Sequence, residues 1–288
     1  MTLVHLKKLE QLEPNNNINV IHKYLCDSGD DNLVKISSTI TNLYEVAESE
    51  RELEERKKHG IDEKTYRENA EWKRSFFVNP KPKNVKNNKV EHEYFLNLLY
   101  SLSFTLYLAR KNYNGFLKAE LHLSKYEYSL NTLENLYTVL DTLAVLIYLT
   151  CGLNKSVTDM YFSALKGDLK STHPYTENFD LKVFSINKYP LNMLNKIRNM
   201  CVHRPFLDWD IQSKIVLSPS NLSKVRSVCE RDGLYNNDIH DFIKKCFEET
   251  TNILKISLDG VLKTYRQRLE NDQAVQWLHC TWEDFLAG

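Results

Sequence analysis

The sequence predicts an all-α fold: an antiparallel helical bundle with an N-terminal helical extension. Three observations carry that expectation. Long stretches repeat apolar residues every three or four positions, the spacing of one helix face. Glycine and proline number only 8 and 7 among 288 residues, too few to punctuate many short strands. One run alone, Ile215-Val216-Leu217, reads as a strand, and the sequence offers it no evident partner. The length suits one large domain with an accessory segment. The bundle is expected over residues 90–288, and residues 1–89 form a helical annex and a basic linker.

The first clear helix runs from Asp30 to Lys58, with Leu33, Ile36, Ile40, Leu43 and Val46 on one face. It closes on Arg56-Lys57-Lys58 before Gly60, a cationic end with a left-handed cap. Trp72 to Lys89 holds six basic residues, two prolines and no acid, the composition of an extended linker. Its basic groups interleave with Trp72, Phe76 and Phe77, a pattern that also suits an RNA backbone and its bases. Phe95, Leu99, Leu102, Leu106 and Ala109 then mark a second stripe.

Ser124-Lys125-Tyr126-Glu127 fits a capping box at the start of a third helix. That helix carries Leu130, Leu133, Leu136 with Tyr137, Leu140, Leu143 with Ala144, and Ile147, and stops near Gly152. It is apolar on every side from Leu143 to Leu149, so this end is expected to be buried all round. A shorter piece spans Val157 to Leu169. Pro190 suits the first turn of a helix through Leu191, Leu194, Ile197 and Cys201 that Pro205 ends. Ser220 and Gly233 bracket another, and the last long helix runs from Ile239 to Leu269.

Lys+Arg and Asp+Glu both number 38, so no global field draws the chain to polyanions and nucleic-acid binding requires a local patch. The six cysteines are scattered without a C-x-x-C pair, which argues against a disulfide framework or a zinc ribbon. The pairs Cys201/His203 and His279/Cys280 match no common zinc spacing, so no metal or other cofactor is expected. The longest uncharged run, Tyr94 to Ala109, falls short of the roughly 20 apolar residues that a membrane span needs. With no signal-peptide pattern at the N-terminus, a cytoplasmic protein without membrane contact is expected.

One short stretch departs from this even charge. KIRNMCVHRP, residues 196–205, places Lys196, Arg198, His203 and Arg204 at the end of an apolar helix. Asn199 and His203 are four apart and share a side, where the amide can hold the imidazole in one tautomer. Arg198 and His203 lie about 140° apart around an ideal helix, and meet at one ligand where the helix loosens before Pro205. An imidazole titrating near neutrality can move a proton at a ribose 2′-OH or a departing 5′-oxygen. A guanidinium offers a planar fork to phosphate oxygens. Lys196 and Arg204 add phosphate contacts. The competing reading is a cationic helix cap opposing the macrodipole. Requiring Asn directly after Arg, and the four-residue gap, lowers the chance expectation to about 0.03. Residue chemistry alone does not choose between the two.

Arg198-Asn199-Met200-Cys201-Val202-His203 resembles the signature of the HEPN superfamily: Arg, a polar residue, then His after a gap of four to six. The preceding helix, LENLYTVLDTLAVLIYL, is similar to the central helix of several HEPN groups. The resemblance covers about Val90 to Leu269 loosely and the motif closely. It implies an all-α bundle with the motif at the start of the last core helix or the end of the one before. It further implies a metal-independent RNA endonuclease of the toxin or phage-defence kind, with an antitoxin or regulatory protein as a further partner. The reaction would take place in a cleft between two copies of a homodimer. Arg198 and His203 would be catalytic and Asn199 their polar support. Because the superfamily also includes inactive members, a non-catalytic module binding a nucleotide or a protein is the alternative.

Overall fold

The computed structural model describes residues 14–59, 92–152, 160–170, 175–185, 190–192, 194–195, 207–209, 215–217 and 238–270. The Gly60 cap, the Trp72–Lys89 linker and the helix expected between Ser220 and Gly233 lie outside them. Six α-helices make the described part an all-α bundle: α1 (Pro14–Cys26), α2 (Asp31–His59), α3 (His92–Lys118), α4 (His122–Cys151), α5 (Phe162–Lys170) and α6 (Ile239–Glu270).

α1 opens on proline, whose missing N–H is no loss in a first turn. The chain then reverses through Gly29, at φ 69°, a conformation that favours glycine. Asp30 Oδ1 accepts the backbone amides of Asn32 (3.0 Å) and Leu33 (3.3 Å), which starts α2 where the sequence places it. The expected stripe Leu33, Ile36, Ile40 and Leu43 is buried, and at the next turn Ala47 is buried while Val46 is half-exposed. α1 and α2 pack their apolar faces into the same core as α3, α4 and α6.

α3 and α4 form a tight helical hairpin. All five residues of the stripe predicted on α3, from Phe95 to Ala109, are buried. The capping box expected at Ser124 does not form. α4 begins at His122, with Leu121 as the extended residue before it and no side-chain cap. Lys125 N–H already donates to Leu121 C=O at 3.0 Å, so Ser124 lies inside the first turn. α3 persists to Lys118, leaving three residues to reverse the chain, and Leu121 to Leu123 are exposed, so water can serve those amides. At its other end α4 stops on Gly152 at φ 68°, as expected. One described helix, α4, is long and apolar enough to cross a membrane, but 72% of its apolar window is buried inside the bundle.

α6 returns after a long connection. Phe95 stacks on Tyr265 (4.7 Å between ring centroids), and Phe116 lies 4.5 Å from the His240 ring, so α6 runs antiparallel to α3. Asn32 meets Lys255, Lys35 meets Asp259 and Asn42 meets Arg266, so α6 runs parallel to α2. Arg268 is only 6% exposed, and its Nη1 donates to Thr150 C=O (2.7 Å) at the carbonyl end of α4. The guanidinium lies 5.8 Å from the Tyr175 ring centroid. The negative end of the α4 dipole thus faces a buried cation on a neighbouring helix. Desolvation lowers the Arg268 pKa.

The helix expected from Val157 is described only from Phe162, and Met160 and Tyr161 are not helical. Asp141 Oδ1 on α4 accepts the Phe162 amide at 3.2 Å, which fixes the start of α5 there. Tyr148, buried in α4, donates its hydroxyl to Asp168 of α5. Burial and that carboxylate both push the phenol pKa up. The run Ile215–Leu217 does have a partner: it pairs antiparallel with Leu207–Trp209, with Trp209 opposite Ile215. Leu-Asp-Trp is too short to show the alternation that marks a strand.

Candidate functional site

Of the helix that the sequence predicts from Pro190, residues 190–192 and 194–195 are described. Leu194 N–H donates to Pro190 C=O at 3.0 Å, the helical pattern that a proline in the first turn allows. Leu191 and Leu194 are buried, as their spacing predicts. The next residue, Asn195, accepts a 2.8 Å hydrogen bond from the hydroxyl of Tyr137, itself buried in α4. This tie fixes the described start of the helix against the central helix of the bundle. Lys196, Arg198, Asn199, His203 and Arg204 all lie outside the described residues. In sequence, Arg198 follows the anchored Asn195 by three positions.

Sequence reasoning passed over Tyr137 as a functional candidate, because helical spacing shows it only as a stripe residue beside Leu136. A buried tyrosine usually finds a partner for its hydroxyl, and that was the available signal.

A second cluster sits where α1 meets α2. His22 Nδ1 shares a 2.5 Å hydrogen bond with Ser37 Oγ and lies 3.3 Å from Thr41 Oγ1. Half-buried Cys26, one helical turn beyond His22, puts its sulfur 3.5 Å from Nε2 and 4.0 Å from Nδ1. A thiol aligned with the Nε2 lone pair would sit about 2 Å farther from Nδ1 than from Nε2. The near-equal distances place the sulfur beside the ring, in a packing contact, and not on the axis that would activate it. Among the described residues no group of three or more His, Cys, Asp or Glu could hold a metal ion. The buried thiols are less reactive still. Burial pushes Cys151 up to about 12 and raises Cys246 well above the ordinary range, so both stay protonated at neutral pH.

Comparison with known proteins finds no protein-family model, curated protein or solved structure that matches this chain. The functional reading therefore rests on the motif and on the bundle that carries it.

Proposed function

We propose that this chain is a metal-independent RNA endonuclease of the HEPN type, a cytoplasmic toxin or phage-defence protein. The observation that carries the reading is the Arg198-Asn199-x-x-x-His203 spacing, in a run that the sequence predicts to close a helix. Two further observations support it: the described part of the chain is a helical bundle, and just before the motif Leu191 and Leu194 are buried while Asn195 is tied to α4 by the Tyr137 hydroxyl.

In this reading His203 takes the proton of a ribose 2′-OH as that oxygen attacks the adjacent phosphorus. The bond to the 5′-oxygen breaks, and the departing oxygen receives a proton. Arg198 presents two parallel N–H donors to the phosphate oxygens as their charge redistributes. Asn199 holds the imidazole in position, and Lys196 and Arg204 bind flanking phosphates. A second copy of the chain supplies a second His203, so that one imidazole serves as base and the other as acid. An antitoxin or regulatory protein would restrain the activity by covering this cleft.

The test is incubation of the purified protein with mixed tRNA and mRNA in EDTA, followed by end-group analysis. The expected products carry 2′,3′-cyclic phosphate and 5′-OH ends, because the nucleophile is internal to the substrate. His203→Ala should lower cleavage by about 10²–10⁴-fold. Arg198→Lys should be nearly as harmful, since a point charge cannot replace the planar fork. Asn199→Ala should cost less, and Lys196 and Arg204 substitutions should weaken binding in a salt-dependent way. A Mg²⁺ requirement or 5′-phosphate products would defeat the mechanism. Binding of RNA without cleavage would assign the chain to the non-catalytic alternative.

A further inference from the structure

We propose that the outward face shared by α1 and α3 is a seat for single-stranded RNA. The inference shares its substrate class with the proposed function, but it needs nothing from the cleavage motif. Phe104, Tyr107 and Lys111 follow one another at intervals of three and four, so they share one side of α3. That side is opposite the buried stripe of Leu99, Leu102, Leu106 and Ala109. A surface helix ordinarily presents polar groups there, yet here it presents rings.

The rings are ordered by one another. Phe104 and Tyr107 have centroids 6.1 Å apart, and Tyr24 of α1 meets Tyr107 edge-on at 4.8 Å. Asn114 donates to the Tyr24 hydroxyl at 3.3 Å, and the Lys111 ammonium lies 5.8 Å from the Tyr107 centroid. All three rings rest against the core and are half-buried, so that each keeps one exposed edge or face.

The formal charges of α1 and α3 are mostly positive. α1 contains no Asp or Glu, and α3 contains only Glu93, in its first turn, in a chain whose acids and bases are equal in number overall. The cations of those segments are Lys23, Arg110, Lys111 and Lys118. Arg110 turns away toward Tyr113 and Phe247, which leaves the three exposed lysines. The first acids after α1 in sequence are Asp27 and Asp30, in the turn where Asp30 is engaged in capping α2. An apolar partner would leave the lysines unmatched, and a purely acidic one would leave the rings unused. Single-stranded RNA supplies regularly spaced phosphates and flat bases together, the combination that stacking platforms with basic borders bind.

The test uses the full chain in EDTA and a fluorescein-labelled 2′-O-methyl oligouridine, which has no free 2′-OH and cannot be cut by the proposed chemistry. Fluorescence anisotropy should show binding that weakens with salt. Phe104→Ala with Tyr107→Ala should weaken it by about tenfold or more. Lys23→Glu with Lys111→Glu, both exposed and so neutral for the fold, should weaken it and flatten the salt dependence. Absence of binding by the wild-type chain, or equal affinity in both double variants, would overturn the proposal. So would sedimentation showing that these variants convert a dimer to a monomer, since the face would then be a contact between copies. Because the probe cannot be cut, failure here leaves the cleavage test intact, and failure of cleavage leaves this one intact.

Discussion

Gly260 lies in the interior of α6, where a glycine costs roughly 1 kcal/mol relative to alanine. The reason for it is a close crossing. A Cβ at this position would stand 2.6 Å from the backbone oxygen of Asn178 and 2.8 Å from the Phe179 ring. The crossing segment is itself tied down, because Asn178 Nδ2 donates to Thr264 Oγ1 (2.9 Å) and Gln267 Oε1 (2.7 Å). Gly115 in α3 offers the contrast: the atoms nearest its Cβ would be those of the Tyr128 ring, which is 37% exposed and free to swing outward. Gly260→Ala is therefore expected to destabilise by about 1–3 kcal/mol through overpacking. Gly115→Ala should be neutral or stabilising by up to about 1 kcal/mol. Urea denaturation of the two variants checks both signs, and equal losses would show that the crossing at Asn178 is loose. Neither Gly260 nor buried Arg268 could be understood from the sequence, because each answers to a segment far away along the chain. The His22–Cys26 contact was open to inspection as a four-residue spacing, but only the geometry shows that it is packing.

Helix interiors were readable because burial repeats every three to four residues, so Leu33 to Leu43 and Phe95 to Ala109 announced their own faces. Helix starts depend on one or two residues and on how much chain remains to turn, and here the two predicted starts diverge. Asp30 caps α2 with two hydrogen bonds, whereas Ser124 falls inside α4 because α3 runs so close to it. Asp30→Ala should cost about 1 kcal/mol, the usual loss for an N-cap carboxylate. Ser124→Ala should change stability by less than about 0.5 kcal/mol, since an alanine is at least as well tolerated inside a helix. Thermal unfolding of the two single variants compares them directly. A larger loss at Ser124 than at Asp30 would restore the capping box. The run Ile215–Leu217 was readable as a strand, but its partner Leu207–Trp209 escaped for the opposite reason: three residues carry no period at all.

The directions of the helices bear on how one chain could build a two-copy cleft. The short Ala119–Leu121 turn forces α3 and α4 antiparallel, while the long connection after Gly152 lets α6 return parallel to α2 and alongside the end of α4. Within that connection, Asn195 is tied to α4, and the motif residues follow directly in sequence. The candidate site was legible as a spacing of residue types, and its anchor was not, because the Tyr137–Asn195 bond joins positions 58 apart. A single imidazole cannot be base and acid at once from one place, so cleavage by the proposed chemistry requires two copies related by a two-fold axis. A stable contact of that kind buries about 1,200–2,000 Å² in total. The chain is accordingly expected to sediment as a dimer at micromolar concentration. Cleavage per chain should fall steeply on dilution below the dissociation constant, because the active species varies as the square of free chain. Mixing excess His203→Ala protein with wild type should suppress activity beyond simple dilution, as mixed dimers keep only one imidazole. Cleavage proportional to chain concentration across the dissociation range, in a protein that sediments as a monomer, would rule out the shared cleft.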